Sequence, residues 1–123
     1  MDNEGQHIRI EPLPNPGHLR IDLDGVTIAE SSGPRLLLET GAPVRYYLPK
    51  AHVRMELLEP SDTITHCPHK GTAEYWSVRV NGQLYRDHAW SYPAPLPDGQ
   101  PIAGLIAFRR TDTYVDGVLQ QGR

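Results

Sequence analysis

The sequence predicts an all-β protein, built as one small domain of short antiparallel strands with long loops and at most a turn or two of helix. Proline and glycine are abundant, with 12 and 11 of the 123 residues. Asp24-Gly25 and Asn81-Gly82 each separate two runs in which apolar and polar residues alternate. Such dipeptides are typical of tight β-hairpins, because both central residues of the turn need positive φ. Together these observations favour short strands and tight turns.

The length fits a single domain, and we divide the chain into a proline-rich arm at residues 1–17, a β domain at residues 18–119 and a tail at residues 120–123. The arm has prolines at alternate positions, Pro12, Pro14 and Pro16. This spacing favours an extended segment outside any sheet, although Ile8 and Ile10 can dock on the body. We therefore expect the arm to be dispensable for folding.

Alternating or apolar runs predict the strands of the first half, which are residues 18–22, 26–30, 35–40, 44–48, 54–58 and 63–67. The consecutive Leu36, Leu37 and Leu38 are typical of a strand that is buried on both faces. Pro49 suits the first position of a helical turn, so residues 50–53 are expected to form one turn of helix.

In the second half, strands are predicted at residues 75–80, 84–90 and 102–108, with a last hairpin that turns at Asp116-Gly117. Between them, residues 91–101 contain four prolines, which cannot donate to a β-ladder. We expect a long ordered loop there, and loops of this length in a compact domain are often functional.

Composition excludes several classes of partner. The formal net charge is −3, and no basic stripe offers a binding face for phosphates, so we do not expect the protein to bind nucleic acid. The densest basic cluster is the pair Arg109-Arg110, interpreted as a solvated strand end. No apolar run approaches membrane-spanning length, so we do not expect the protein to associate with a membrane. The single cysteine cannot form an intramolecular disulfide, which favours a cytoplasmic location.

Residues 65–71 hold the only cysteine, two of the six histidines and a lysine, with breaks in the backbone at a proline and a glycine. The thiolate is the nucleophilic form of cysteine, and a neighbouring positive charge favours it. His66, His69 and Lys70 can supply that charge to Cys67. The alternative is that Cys67 is a small buried hydrophobic residue, as most free cysteines are.

No metal and no cofactor are predicted. Structural zinc needs four converging ligands, and there is no second cysteine, while His52 and His88 stand alone. Asp22 and Asp24 alternate as metal-binding acids do, but Asp24 is explained by its hairpin turn. Gly-rich phosphate loops and Gly-x-Ser-x-Gly elbows are absent from the sequence.

The leading hypothesis is a small-molecule pocket floored by residues 65–71. Cys67 and Lys70 are the predicted catalytic residues. The predicted ligand-binding residues are Glu39, Arg45, Thr65, His66, His69, Tyr75, Trp90 and Tyr92. Lys70 and Arg45 would attract an anionic group, and Tyr75, Trp90 and Tyr92 would form the walls.

Two questions stay open at this point. A proton-transfer group facing Cys67 would favour an enzyme, and Glu39 and Glu74 are the candidates. The alternative is a non-catalytic binding or protein-interaction module in which Cys67 is a core residue. The expected partner is an unknown small molecule, of anionic character if the basic residues reach it, and a homodimer is compatible with the sequence.

The most specific segments of the chain are Thr65-His66-Cys67-Pro68-His69-Lys70-Gly71, Ala73-Glu74-Tyr75-Trp76-Ser77-Val78 and Ala89-Trp90-Ser91-Tyr92-Pro93-Ala94-Pro95-Leu96. With Leu58-Glu59-Pro60-Ser61, Ile102-Ala103-Gly104, Glu39-Thr40-Gly41-Ala42-Pro43 and Tyr46-Tyr47-Leu48-Pro49, they resemble the bacterial domain-of-unknown-function family numbered four hundred and twenty-seven. The resemblance spans roughly residues 19–108.

This resemblance implies a β-tent fold, similar to the sheets of Mss4 and of methionine sulfoxide reductase B. Such relatives often hold zinc on two cysteine pairs, which this chain lacks. Some catalogues call the family nucleotidyltransferase-like, a label that Asp22 and Asp24 do not support. The resemblance implies no established activity.

Overall fold

The computed structural model describes residues 8–14 and 17–120, and in this part the protein is all-β. Eleven strands form three antiparallel sheets, and three short 3-10 helices, none of seven residues or more, lie between them. The predicted fold class is confirmed. The finer likeness to an Mss4-type β-tent stays a prediction.

The strands are numbered in chain order, and each sheet is given in its spatial order. The first sheet consists of β1 (Ile8–Pro12), β4 (Arg35–Glu39) and β5 (Arg45–Tyr47). The second consists of β11 (Val118–Leu119), β10 (Asp112–Val115), β2 (Leu19–Leu23) and β3 (Val26–Ser31). The third consists of β6 (Leu58–Cys67), β7 (Gly71–Val80), β8 (Gln83–Ser91) and β9 (Ile106–Phe108). The 3-10 helices cover Lys50–His52, Met55–Leu57 and Pro97–Ile102.

The hairpin turns lie where the sequence predicts them. Asp24 and Gly25, with φ of 52° and 77°, join β2 to β3, and Asn81 and Gly82, with φ of 53° and 77°, join β7 to β8. The turn at Asp116-Gly117 joins β10 to β11 in the same way. The predicted helical turn after Pro49 is also present.

Two predicted strands are wrong in extent. Met55–Leu57 form a 3-10 helix, and β6 begins only at Leu58. The strand predicted at residues 102–108 is confined to Ile106–Phe108, because Ile102 ends a 3-10 helix and Gly104 turns the chain with φ of 73°. In both places apolar residues of a short irregular segment pack against the core, and an apolar run alone cannot distinguish such a segment from a strand.

The expectation that the N-terminal arm stays outside any sheet is wrong for Ile8–Pro12. This segment is β1 and pairs with β4 from Ile8 opposite Glu39 to Pro12 opposite Arg35. Because β1 is an edge strand, the missing amide proton of a proline need not disturb the ladder. Pro16 and the tail residues 121–123 lie outside the described residues, so the division into arm, domain and tail stays a prediction.

Two apolar clusters form the core. The first is drawn mainly from the second and third sheets and includes Leu19, Ile21, Ile28, Val78 and Ile106. The second joins the first sheet to the third and contains Leu37, Tyr47, Ala73, Trp90, Tyr92, Ile102 and Ala107. Paired hydrogen bonds of 2.8 Å between the backbones of Leu48 and Ile106 also connect these two sheets. No helix in the described ranges is long and apolar enough to cross a membrane.

Candidate functional site

A cavity of about 280 Å³ opens where the first and third sheets meet, above the second apolar cluster. We call it the cationic cavity. Its lining residues are Glu39, Ala42, Pro43, Arg45, Tyr47, Lys70, Tyr75, Trp90, Tyr92 and Arg109. The structure thus brings together six of the residues singled out in the sequence, which are Glu39, Arg45, Lys70, Tyr75, Trp90 and Tyr92.

Strand alternation places the aromatic walls. Arg45 and Tyr47 are two residues apart on β5 and therefore share a face. Tyr75 on β7 lies directly opposite Trp90 on β8, and the two ring centroids are 6.2 Å apart. Tyr92 follows Trp90 by two residues and joins it on the cavity side, as the sequence predicts.

Lys70 is held in the turn between β6 and β7. Its backbone oxygen accepts a hydrogen bond of 2.9 Å from the amide of Leu96, so the proline-rich loop covers the turn. Only 9% of Lys70 is exposed, and its Nζ donates to Oε1 of Glu39 at 3.0 Å. The φ of Gly71 is 108°, in the region that favours glycine, and a Cβ there would lie 3.2 Å from the Leu96 amide.

Aromatic rings and cations alternate around the cavity. The guanidinium carbon of Arg45 lies 5.3 Å from the centroid of Trp90, and Nζ of Lys70 lies 5.7 Å from that of Tyr92. Both distances are within the range of cation–π attraction. Nε1 of Trp90 donates to Oη of Tyr47 at 3.0 Å, which fixes the orientation of the indole.

Tyr47 and Tyr92 are neutral donors in the cavity at ordinary pH. Burial raises the pKa of Tyr47 to about 12, although the hydrogen bond from Trp90 and the charge of Arg45 oppose that shift. Burial also raises the pKa of Tyr92, and the nearby groups Tyr47 and Cys67 add to the effect. Since Tyr47 accepts from Trp90, its own phenolic proton remains available for donation.

Three basic side chains, Arg45, Lys70 and Arg109, surround the cavity with one carboxylate, that of Glu39. In the described part of the chain, Arg45 forms no ion pair, and the buried Nε of Arg109 has no hydrogen-bond partner. The positive charge of Arg109 does contribute to lowering the pKa of Asp87. The cavity therefore carries more positive than negative charge.

Arg109 lines the cavity, whereas the sequence predicts a solvated strand end at the pair Arg109-Arg110. Strand alternation carries the signal that could have found it. Ala107 packs in the second cluster, and Arg109 lies two residues further on, so it continues the same face toward the cavity.

The other predicted site residues lie beside the cavity and not in its lining. Cys67 is half-buried and packs against the second cluster. Thr65 Oγ1 is 3.0 Å from Oη of Tyr75, and the exposed His66 forms a 2.9 Å hydrogen bond with Thr72. His69 is in the same turn as Lys70. Glu74, the other candidate for proton transfer, lines a second groove with residues 60–64, and this groove shares Tyr75 with the cationic cavity.

Among the described residues, no three His, Cys, Asp or Glu side chains come together as a metal site would require. The absence of zinc stays a prediction, and the cavity offers tyrosine hydroxyls, cations and aromatic faces as its binding groups.

Fold and site together define an all-β protein with a cationic cavity walled by aromatic rings. Residues 11–121 match the family model named NTP_transf_9 and described as a domain of unknown function, DUF427. The match covers most of the chain, so the protein belongs to this family. No curated protein matches the chain.

Proposed function

We propose that the protein binds a small molecule that carries an anionic group and a planar ring, in the cationic cavity. The observation that carries this proposal is the convergence of Arg45, Lys70 and Arg109 on one cavity with a single carboxylate. Glu39 already holds Lys70, and neither Arg45 nor Arg109 forms an ion pair in the described part of the chain, although the charge of Arg109 acts on Asp87. Guanidinium groups favour carboxylate and phosphate, to which they can donate two parallel hydrogen bonds.

The shape of the cavity supports a ring. Tyr75 and Trp90 present adjacent aromatic surfaces, and contact between aromatic rings contributes about 0.5–1.5 kcal/mol beyond the burial of area. Typical small-molecule pockets measure roughly 300–1,000 Å³, so a cavity of about 280 Å³ favours a ligand at the small end of that range. A cavity of about 150 Å³ is already enough for benzene.

The proposed function is binding, without a catalytic step. Two observations favour this over chemistry at Cys67. The thiol packs against the second cluster and is not part of the cavity lining, and the ammonium group of Lys70 is engaged by Glu39. The positive charge of Lys70, which could activate the Cys67 thiol, is therefore already paired with Glu39.

Calorimetric titration with three matched probes tests the proposal. Benzoate has the anion and the ring, benzamide has the ring without the charge, and cyclohexanecarboxylate has the charge without the planar ring. Benzoate should bind more tightly than either, and added salt should weaken it, since the attraction is electrostatic.

Arg45→Gln should weaken benzoate binding about tenfold, which is the loss expected for a charged hydrogen bond. Arg35→Gln is the matched control, because it removes the same charge from an exposed position on β4 outside the cavity. If benzamide binds as tightly as benzoate, or if the two variants behave alike, the proposal is wrong.

A further inference from the structure

We propose that the ligand carries two anionic groups, and that the second is held in a neighbouring cavity on the other side of Arg45. This inference rests on the proposed function and specifies the class of molecule that would bind. The neighbouring cavity measures about 390 Å³. We call it the second cavity.

The two cavities share part of their lining. Ala42, Pro43 and Arg45 belong to both, so the segment that leads into β5 forms the common border. Arg45 therefore lines both cavities, and its guanidinium group, which lies over Trp90, is on the cationic-cavity side of the border.

The second cavity also has unbalanced positive charge. Arg110 and Arg45 are among its lining residues, and none of its described lining residues is an Asp or a Glu. Arg110 is exposed and forms no ion pair within the described ranges. The hydroxyl of Thr113 and the amide of Gln120 add neutral hydrogen-bonding groups.

The backbone after β9 directs two consecutive arginines to different cavities. Arg109 lines the cationic cavity and Arg110 lines the second cavity. Arg110 has φ of 58°, in the left-handed region that residues other than Gly, Asn and Asp seldom adopt. Such strained positions cluster at functional sites, and here the strain accompanies the placement of a cation on each side of the border.

The class of ligand follows from this arrangement. The ring and one anionic group would occupy the cationic cavity, and a chain crossing Arg45 would carry a second carboxylate or phosphate to Arg110. Both anions have the same requirement, a guanidinium partner with hydroxyl or amide donors nearby. An elongated dianion therefore fits the pair of cavities better than a compact monoanion.

The test uses benzoates with an alkyl chain at the para position, each compared with the same molecule ending in a carboxylate. Chains of two, four and six methylene groups cover a range of spans. For at least one length, the terminal carboxylate should improve affinity by about tenfold in the unmodified protein, as expected for one charged hydrogen bond. Calorimetry gives the affinity ratio for each matched pair.

In Arg110→Gln that ratio should fall to about one, whereas Arg35→Gln, which removes an equal charge from an exposed site, should preserve it. Glutamine carries the same backbone strain at position 110, so the comparison isolates the charge. If every chain length gives a ratio near one in the unmodified protein, or if Arg110→Gln keeps the gain, the inference is overturned while the proposed function stands. If benzoate itself fails to bind, both the inference and the proposed function are wrong.

Discussion

Glu39 has two opposing roles in the cationic cavity. Its carboxylate accepts from Nζ of Lys70 at 3.0 Å, and the two side chains are 28% and 11% exposed. It therefore compensates a largely buried cation, which stabilises the fold. It also places the only carboxylate of the described lining where an anionic ligand would bind, and this repels the ligand.

Glu39→Gln should consequently tighten benzoate binding severalfold and lower the free energy of unfolding by roughly 1–3 kcal/mol, less than for a fully buried pair. Titration and urea unfolding of the same preparation measure both changes. Glu56→Gln is the matched control, because its 3.0 Å pair with Arg54 is solvent-exposed and should contribute little. Weaker benzoate binding by Glu39→Gln would mean that the carboxylate itself contacts the ligand.

Cys67 provides a second test at the level of single residues. It packs against the second cluster beside the cavity, so Cys67→Ser should keep benzoate affinity within about twofold while costing about 1 kcal/mol of stability. Titration and thermal unfolding check the two expectations. A large loss of affinity in a protein that unfolds normally would instead place the thiol in contact with the ligand and revive the hypothesis of a reactive cysteine.

Among the secondary-structure elements, Asp87 on β8 forms hydrogen bonds with β6 and β7 near the positions where the ladders between these strands shift register. Its carboxylate accepts from Ser61 Oγ at 2.5 Å and from Thr63 Oγ1 at 2.7 Å, and its amide donates to Ser77 Oγ at 3.1 Å. The ladder between β6 and β7 shifts register between Pro60 and Ile64, close to the two hydroxyl donors. The hydrogen bonds from Ser61 and Thr63 lower the pKa of Asp87, which has φ of 54°.

This shift gives a pH dependence with a definite sign. Because the pKa of Asp87 is lower in the folded state than its ordinary value of 3.8, the ionised form stabilises the protein above about pH 4. That contribution is lost as pH falls through the folded pKa. Asp87→Asn, which tolerates the same backbone, should cost about 1 kcal/mol at pH 7, a value kept low by solvent screening.

Urea unfolding between pH 2 and pH 7 measures the difference between the variant and the unmodified protein, which should shrink below about pH 4. The exposed Asp62→Asn removes the same charge and should change stability little. A difference for Asp87→Asn that is constant across this range would show that the ionised carboxylate adds nothing to stability.

The pairing of β1 leads us to predict that the N-terminal segment contributes to stability, whereas its prolines alone predict that it is dispensable. Ile8 and Ile10 pack against the second cluster, so deletion of residues 1–12 removes both a strand and part of the floor below the cavity. We expect the melting temperature to fall by about 3–8 °C. Ile10→Ala should reproduce part of the loss and the exposed Arg9→Ala should not. An unchanged melting temperature on deletion would restore the original expectation.

For the molecule as a whole, the hairpin turns can be predicted from the sequence, whereas contacts between residues far apart in the chain cannot. The turns at Asp24-Gly25 and Asn81-Gly82 follow from the positive φ that these dipeptides favour. The pairing of Ile8–Pro12 with β4 depends on which partner has a free edge, and prolines alone point the other way.

The same distinction between local patterns and distant contacts holds for the candidate site. Trp90 and Tyr92 share a strand face, so alternation was enough to bring them together. Arg109 reaches the cavity only because β9 pairs with β8, which places Ala107 opposite Trp90. Residues 65–71 are the segment richest in reactive side chains, yet only Lys70 of that segment lines the cavity, since successive side chains point in different directions at the turn.

The most direct test of the central claim is the indole signals of the two tryptophans, followed by nuclear magnetic resonance while benzoate is added. Trp90 lines the cationic cavity, with its Nε1 bonded to Tyr47, whereas Trp76 lies outside it and serves as an internal reference. We predict a saturable shift of the Trp90 indole with little change at Trp76, and loss of that shift in Arg45→Gln. No shift at Trp90, or equal shifts at both indoles, would contradict the claim that this cavity binds an anionic ring.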